Sequence, residues 1–332
     1  MTQPLRWGIL STAKIGVQKV IPAIQKSKLG QVTAISSRKA DQARTMANQL
    51  GIEKAYSSYD ELIADPEIDA IYNPLPNHLH VEWTLKALHA GKHVLCEKPI
   101  GLNKTEALNL VREASKFPTL KVMEAFMYRF HPQWIKTSEL IQSGAIGKVK
   151  TIHSFFSYFN IDPNNIRNKT NVGGGALMDI GCYCISFPRF IFGEEPLSVV
   201  GVMESDPIMG IDRMSSGILQ FADGKTSTFT CSTQLVPFQR TNIVGTEGQI
   251  IVDIPVNAPT TEKTKITIIR GGDSQEIYFD PVDQYSLQAD AFAMSIISGQ
   301  AIPTPLSDAI GNMAVIDAIR ESSQKKCWIE LK

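Results

Sequence analysis

The sequence has no excess of charge of either sign: its 332 residues carry 33 lysines and arginines against 33 aspartates and glutamates. A protein built to hold a nucleic acid or another polyanion shows a basic surplus, so those partners are excluded. Long apolar runs are also missing, since no uninterrupted stretch approaches the roughly 20 residues that span a bilayer. The opening Met1-Thr2-Gln3-Pro4-Leu5-Arg6-Trp7 has no apolar leader segment, and the expectation is a soluble, cytoplasmic protein without a membrane partner. Cysteine is scarce: five residues, an odd number, with no Cys-x-x-Cys pair. That usage fits reduced thiols rather than a disulfide frame or a zinc site, so Cys182 and Cys184 read as packed small residues and no metal is expected.

What is present is a change of texture part-way along. Up to residue 126 short β-rich runs (6–10, 31–36, 68–73, 93–96, 120–124) alternate with helical periods ending near residues 26, 50, 90 and 116. Such a series predicts a doubly wound parallel sheet of the Rossmann type. Gly51 and Gly91 stand just past two helix ends, and Asp65-Pro66 breaks the chain before a strand. From residue 127 to 332 the pattern becomes one helix near 134–142 and then long strands at 149–159, 198–203, 215–221 and 226–233. Asp223-Gly224 signals a hairpin, and Gly245 to Gly248 and Gly271-Gly272 mark further turns. The prediction is an α/β protein with a nucleotide-binding domain over 1–126 and, over 127–332, an α+β domain on a large, mostly antiparallel open sheet. Helices at 172–192, 284–298 and 306–321 are expected to cover one face of that sheet, leaving the other for a subunit interface.

In an open parallel sheet ligands bind at the carboxyl ends of the strands. The first strand leads into Ser11-Thr12-Ala13-Lys14-Ile15-Gly16, where Ser11 and Ala13 occupy the first two glycine positions of a dinucleotide fingerprint and Gly16 the third. Small residues still allow close backbone approach, and the helix that follows offers N–H groups to a pyrophosphate. Alone, the turn also fits a plain strand-to-helix connection. The second strand ends in Ser36-Ser37-Arg38, where an NAD site would carry an acid on the ribose diol. A hydroxyl and a guanidinium suit a 2′-phosphate, so the expected cofactor is NADP rather than NAD. Asp41 lies further on and suits the first turn of the next helix. The run at 68–73 ends in Asn73-Pro74-Leu75-Pro76-Asn77-His78-Leu79-His80, an irregular shelf for a nicotinamide ring, with Pro74, Leu75, Asn77 and His80 as its candidate contacts.

The run at 93–96 leads into Glu97-Lys98-Pro99. A charged pair at a buried strand end is costly unless it is used, although a structural ion pair is the plain alternative. In the second half Gly173-Gly174-Gly175 opens a helix carrying Asp179 and Tyr183, four residues apart on one face. The triple glycine is expected to let the backbone approach a ligand or the other domain closely. Lys98, Asp179 and Tyr183 together suit carbonyl reduction and its reverse: hydride moves to or from a carbon whose oxygen gains or loses a proton. Tyr183 serves as proton donor, Lys98 stabilises the developing alkoxide, and Asp179 orients the tyrosine or substrate hydroxyls.

With these residues in place the chain resembles the glucose-fructose oxidoreductase, inositol dehydrogenase and rhizopine-catabolism (Gfo/Idh/MocA) family. The likeness runs through the Gly8 to Gly16 turn, Asn73 to His80, Glu97-Lys98-Pro99, Glu124 to Pro132 and Gly173 to Tyr183. It implies a Rossmann domain followed by an α/β domain with a large open sheet, dimers or dimers of dimers formed through that sheet, Lys98 as the central catalytic residue and Glu97 near the nicotinamide ribose. Tyrosine at 183, where many members carry histidine, is similar to the NADP-dependent subgroup that contains dimeric trans-dihydrodiol dehydrogenase, D-xylose dehydrogenase and glucose-fructose oxidoreductase. Substrate candidates are Arg129, Phe156, Phe159, Arg167 and Tyr285, whose aromatic and guanidinium groups suit a sugar or cyclic diol, though each also fits a core or surface place. Two other readings of the same fold are a non-catalytic NAD(P) sensor, which would have no use for a proton donor, and an NAD-using glycosidase, which would need further acid-base groups.

Overall fold

The computed structural model describes residues 3–331. The chain divides into two units, one formed by residues up to Met127 with Asp283–Ile310, the other by Tyr128–Val282 and the residues from Gly311 onward.

The first unit alternates β1 (Leu5–Ile9), α1 (Ile21–Lys26), β2 (Gly30–Ser36), α2 (Ala40–Leu50), β3 (Lys54–Tyr56), α3 (Tyr59–Ala64), β4 (Ala70–Asn73), α4 (His80–His89), β5 (His93–Cys96), α5 (Lys104–Ala114) and β6 (Val122–Glu124). Its strands are parallel in the order β3-β2-β1-β4-β5-β6, the arrangement of dinucleotide-binding sheets. Local chemistry sets the helix limits. Ser58 and Asn103 cap α3 and α5 by accepting from the third N–H onward, and Gly51 ends α2 with a φ of 66°. The strand β3 and helix α3 are additions to the sequence reading. With three half-exposed or exposed residues, β3 has no apolar alternation to betray it.

The second unit opens with α6 (Pro132–Gln142) and β7 (Val149–Phe159), followed by α7 (Cys182–Phe192), β8 (Ser198–Ser205), β9 (Asp212–Gln220), β10 (Thr226–Ser232), β11 (Gln234–Gly245), β12 (Gln249–Val252), β13 (Thr264–Arg270) and β14 (Asp273–Phe279). After α8 (Gln284–Ile297), which belongs to the first unit, α9 (Asp308–Lys325) and β15 (Ile329–Glu330) complete it. The nine strands run β14-β13-β12-β11-β7-β10-β9-β8-β15, antiparallel except for the β7–β10 pair. Alternation along β7 sends Ile152, Ser154 and Phe156 into the core and leaves Thr151, His153 and Phe155 on the open face. Two glycines let α9 lie close on the core face: a Cβ at Gly201 or Gly217 would meet Ile319 at 2.8 Å. The Asp223-Gly224 turn has φ values of 55° and 68°, the left-handed pair its hairpin requires.

One expectation is corrected. The helix α8 belongs to the first unit and packs with α1, where Ser286 Oγ donates to the carbonyl of Ala23 at 2.7 Å and Phe292 lies against Trp7. The helical stretch Thr170–Phe192 has the length and apolar character to cross a membrane, yet 78% of its most apolar window is buried, as in a core helix. Asp179 and Arg189 interrupt it, which is why no continuous apolar run is visible in the sequence.

His131 caps α6 by accepting at Nδ1 from the N–H of Gln133 (3.2 Å), which requires a neutral ring. Burial holds the imidazole down to about 4. Because the folded value lies below the ordinary one near 6.5, the contribution is fully present above that pH and is lost as pH falls toward 4. Thermal melting should therefore drop across this window, by an amount on the order of 3 kcal/mol at most from this group. His131→Asn, which keeps a capping oxygen but cannot titrate, should flatten part of the slope; an unchanged slope would remove His131 as a source. His80 is driven the same way, down to about 4, mainly by burial, so the variant removes only a share.

Candidate functional site

In the first unit the parallel sheet carries the ends of β1, β2, β4 and β5 to one edge, with Ile9 beside Ile35 and Tyr72 and with Asn73 beside Cys96. Four predicted segments are thus neighbours. Ser11 has a φ of 68°, a left-handed conformation that a serine adopts at some cost, in the place where the fingerprint would put glycine. Its Oγ accepts from Ala13 N–H at 3.3 Å, and the helical run begins at Lys14 and carries Ile15 and Gly16. Ser37 is nearly buried, its Oγ accepting from Lys39 N–H, while Arg38 is exposed. Beside Arg38 stands Tyr59: burial raises its phenol, and the guanidinium, which hydrogen-bonds it, pulls the other way.

The shelf after β4 is rigidly held. Asn73, fully buried, donates to the carbonyl of His80 (3.1 Å) and to Thr84 Oγ1 (3.3 Å) and accepts from Leu75 N–H (3.3 Å). His80, expected as a cofactor contact, has no exposed surface. Its Nδ1 lies 2.8 Å from the Pro99 carbonyl and its Nε2 2.6 Å from the Leu75 carbonyl. The neutral ring donates to one of these carbonyls and lies against the other, between the shelf and the corner that bears Glu97 and Lys98, and Pro74, Leu75 and Asn77 lie along that shelf. Glu97 N–H donates to the Asn73 carbonyl (3.0 Å), and Tyr72 Oη donates to Glu97 Oε1 (2.7 Å).

In the second unit Asp179 gathers two partners on one oxygen. Tyr158 Oη donates to Oδ2 at 2.6 Å and Arg167 Nε lies 2.9 Å from the same atom. Burial and the Asp179 charge push the Tyr158 phenol up, and Asp179 keeps the Arg167 guanidinium firmly charged. Tyr183 is buried, its ring 6.0 Å from that of Tyr128 and 6.2 Å from that of Phe156. Residues Leu177–Gly181 form a π-helical turn that carries Asp179, a widening frequent at functional sites.

Within its own unit the triple glycine makes a close approach to backbone and to a carboxylate. A Cβ at Gly174 would lie 2.5 Å from the Arg167 carbonyl, and one at Gly175 (φ 109°) 1.9 Å from Asp212 Oδ1. Asp212 in turn accepts from Leu177 N–H (2.7 Å) and Ser215 Oγ (2.9 Å), fixing the start of the helix that bears Asp179 and Tyr183. Sequence reasoning missed Asp212 and Tyr158; only the alternation of β7, which puts Tyr158 two residues from Phe156, hints at the latter.

The remaining candidates fall in different surroundings. Arg129 donates from Nη2 to Ser186 Oγ (2.7 Å) and lies over the Phe190 ring, against α7. Phe159 is 60% exposed at the end of β7. Tyr285 is the second residue of α8, its N–H donating to Asp283 Oδ1 (3.1 Å), and so belongs to the first unit.

Residues 5–124 match the model of an oxidoreductase family with an NAD-binding Rossmann fold, and residues 134–251 match the GFO/IDH/MocA C-terminal domain. The chain belongs to the Gfo/Idh/MocA oxidoreductase family. It is 36% identical to D-xylose 1-dehydrogenase (NADP(+)) 2 of Haloferax volcanii, covering 98% of this chain and 100% of that one. Among solved structures it is similar to KijD10, a 3-ketoreductase from Actinomadura kijaniata in complex with NADP and TDP-benzene (TM-score 0.90, 29% identity, 96% and 98% of the two chains). It is also similar to an aldose-aldose oxidoreductase from Caulobacter crescentus (TM-score 0.92, 25% identity, 99% and 100%). This Gfo/Idh/MocA protein is accordingly an NAD(P)-binding oxidoreductase whose relatives are sugar dehydrogenases and reductases.

Proposed function

We propose that the protein is an NADP-dependent oxidoreductase moving a hydride between the nicotinamide and a hydroxyl or carbonyl carbon of a sugar or related cyclic diol, with Lys98 and Tyr183 handling the proton. The observation that carries the cofactor choice is the end of β2, where Ser37 and the exposed Arg38 stand in place of a carboxylate. A guanidinium pairs with a 2′-phosphate, whereas a carboxylate would repel it. The names of the xylose dehydrogenase and of the NADP-bound ketoreductase support the same choice.

The residues suit a dinucleotide. The left-handed turn at Ser11 and the helix starting at Lys14 present backbone N–H groups to a pyrophosphate, and Thr12, Ala13 and Ile15 line the approach. Pro74, Leu75 and Asn77 form the shelf for the ring, and Glu97 takes the ribose side. When bound, NADP accepts or supplies the hydride. Lys98 stabilises charge on the reacting oxygen, Tyr183 holds or delivers the proton, and Asp179, itself fixed by Tyr158 and Arg167, orients substrate hydroxyls. Arg167, Phe156 and Phe159 are the substrate-side candidates of the second unit.

The open sheet face, with exposed Ile218 and Phe238 among Thr226, Thr228 and Thr230, is the surface through which two copies associate. All five cysteines are free, four of them buried.

A screen of pentoses, hexoses, anhydro-sugars and cyclic diols with NADP, followed by the near-ultraviolet absorbance of the reduced ring, tests the assignment. Turnover on at least one class is expected; inactivity across all of them with intact dinucleotide binding would favour a sensor.

A further inference from the structure

Tyr72 is the third residue of β4 and has no exposed surface. Its ring lies beside the dinucleotide turn: a Cβ added at Gly16 would sit 3.6 Å from ring atom Cε1 and 3.7 Å from Pro74 Cγ. The Tyr72 ring and Pro74 therefore both border Gly16, the last residue of the fingerprint, and that packing would be served equally by phenylalanine. The hydroxyl needs another explanation, because burying one without a partner is unfavourable. Its partner is the carboxylate of Glu97, to which Oη donates at 2.7 Å. The main chain of Glu97 is held in parallel by the Asn73 carbonyl, at 3.0 Å. Adjacent residues of β4 thus fix Glu97 at backbone and side chain.

We propose that Tyr72 is a positioning residue, whose buried hydroxyl sets the orientation of the Glu97 carboxylate beside Lys98 for the ribose of the bound dinucleotide. The proposal rests on the reading of this edge as the NADP site. Burial, with the Glu97 charge and hydrogen bond adding to it, raises the phenol well above its ordinary value, so Tyr72 remains a donor throughout the working range. The bond is charge-assisted, and Lys98 is the next residue along the chain. No other group on β4 can supply this donor, since Asn73 is committed to His80, Thr84 and Leu75.

The test is a double-mutant cycle with Tyr72→Phe and Glu97→Gln in the full chain, read by NADPH binding through tryptophan fluorescence and by kcat on a sugar found in the screen. Tyr72→Phe is expected to weaken NADPH binding or lower kcat by about tenfold, the size associated with a hydrogen bond to a charged group, with the sugar KM unchanged. In the Glu97→Gln background the same change should add less than about twofold, because the carboxylate it orients is gone. Losses that multiply independently, or a Tyr72→Phe protein with parental binding and kcat, would overturn the proposal. Thermal melting of all four proteins normalises each value to folded material, and Tyr72→Leu, which removes ring and hydroxyl together, separates a packing loss from loss of the donor. If the parent binds no dinucleotide, the reading of the site fails instead; if it binds NADPH and the cycle shows no coupling, only the role of Tyr72 fails.

Discussion

Lys98→Met is expected to lower kcat/KM by about a thousandfold or more while leaving NADPH affinity within a few-fold of the parent. The size follows from the role proposed for the ammonium: a charge-assisted hydrogen bond to developing oxyanion character and a share of proton handling, each worth roughly a hundredfold or more when removed. Methionine keeps much of the lysine stem, so packing at the corner changes little. The supports of that corner also remain, since Glu97 is held by Tyr72 and Asn73 and the Pro99 carbonyl by His80. Steady-state kinetics with fluorescence titration checks both halves of the expectation. Parental turnover would remove Lys98 from the chemistry; lost binding would make it a cofactor residue only.

Arg38→Ala should weaken NADPH binding by roughly tenfold to a hundredfold and leave NADH binding unchanged, in line with the loss of one or two charge-assisted bonds to phosphate. Arg38 is exposed, so its removal costs the fold little. The Tyr59 phenol it neighbours is nearly buried and stays packed edge-on against Trp83, with ring centroids 5.0 Å apart. Titration of parent and variant with both reduced dinucleotides measures the difference. An equal loss for both would mean that Arg38 acts on something other than the 2′-phosphate, and equal affinities in the parent would point to a cofactor without it.

Much of this organisation is legible in the sequence wherever a local pattern has a local cause. The strand β7 spans the residues its alternation marks, because a sheet with one buried face imposes period two on every side chain. Gly51, Gly91 and the Asp223-Gly224 turn all adopt the positive φ that their positions suggest. The carboxyl-edge cluster was readable too, since a parallel sheet carries every strand end to the same side. What escaped depends on distant partners. The helix α8 has an apolar composition that would suit the large sheet, and only tertiary packing assigns it to α1. Tyr72, Tyr158 and Asp212 look like ordinary strand or loop residues until the chain is folded. Their long-range hydrogen bonds, to Glu97, to Asp179 and from Leu177, span separations of 25, 21 and 35 residues. The triple glycine signalled a close approach, and Asp212 and the Arg167 carbonyl are the crowding groups at Gly175 and Gly174.

Hydride transfer from a sugar carbon to NADP is tested most directly by supplying aldoses deuterated at the anomeric carbon and measuring the mass of the dinucleotide produced. Reduced dinucleotide carrying one deuterium on its nicotinamide is the predicted result. Turnover that releases the label to solvent, or that yields only unlabelled dinucleotide from a substrate oxidised at that carbon, would contradict it.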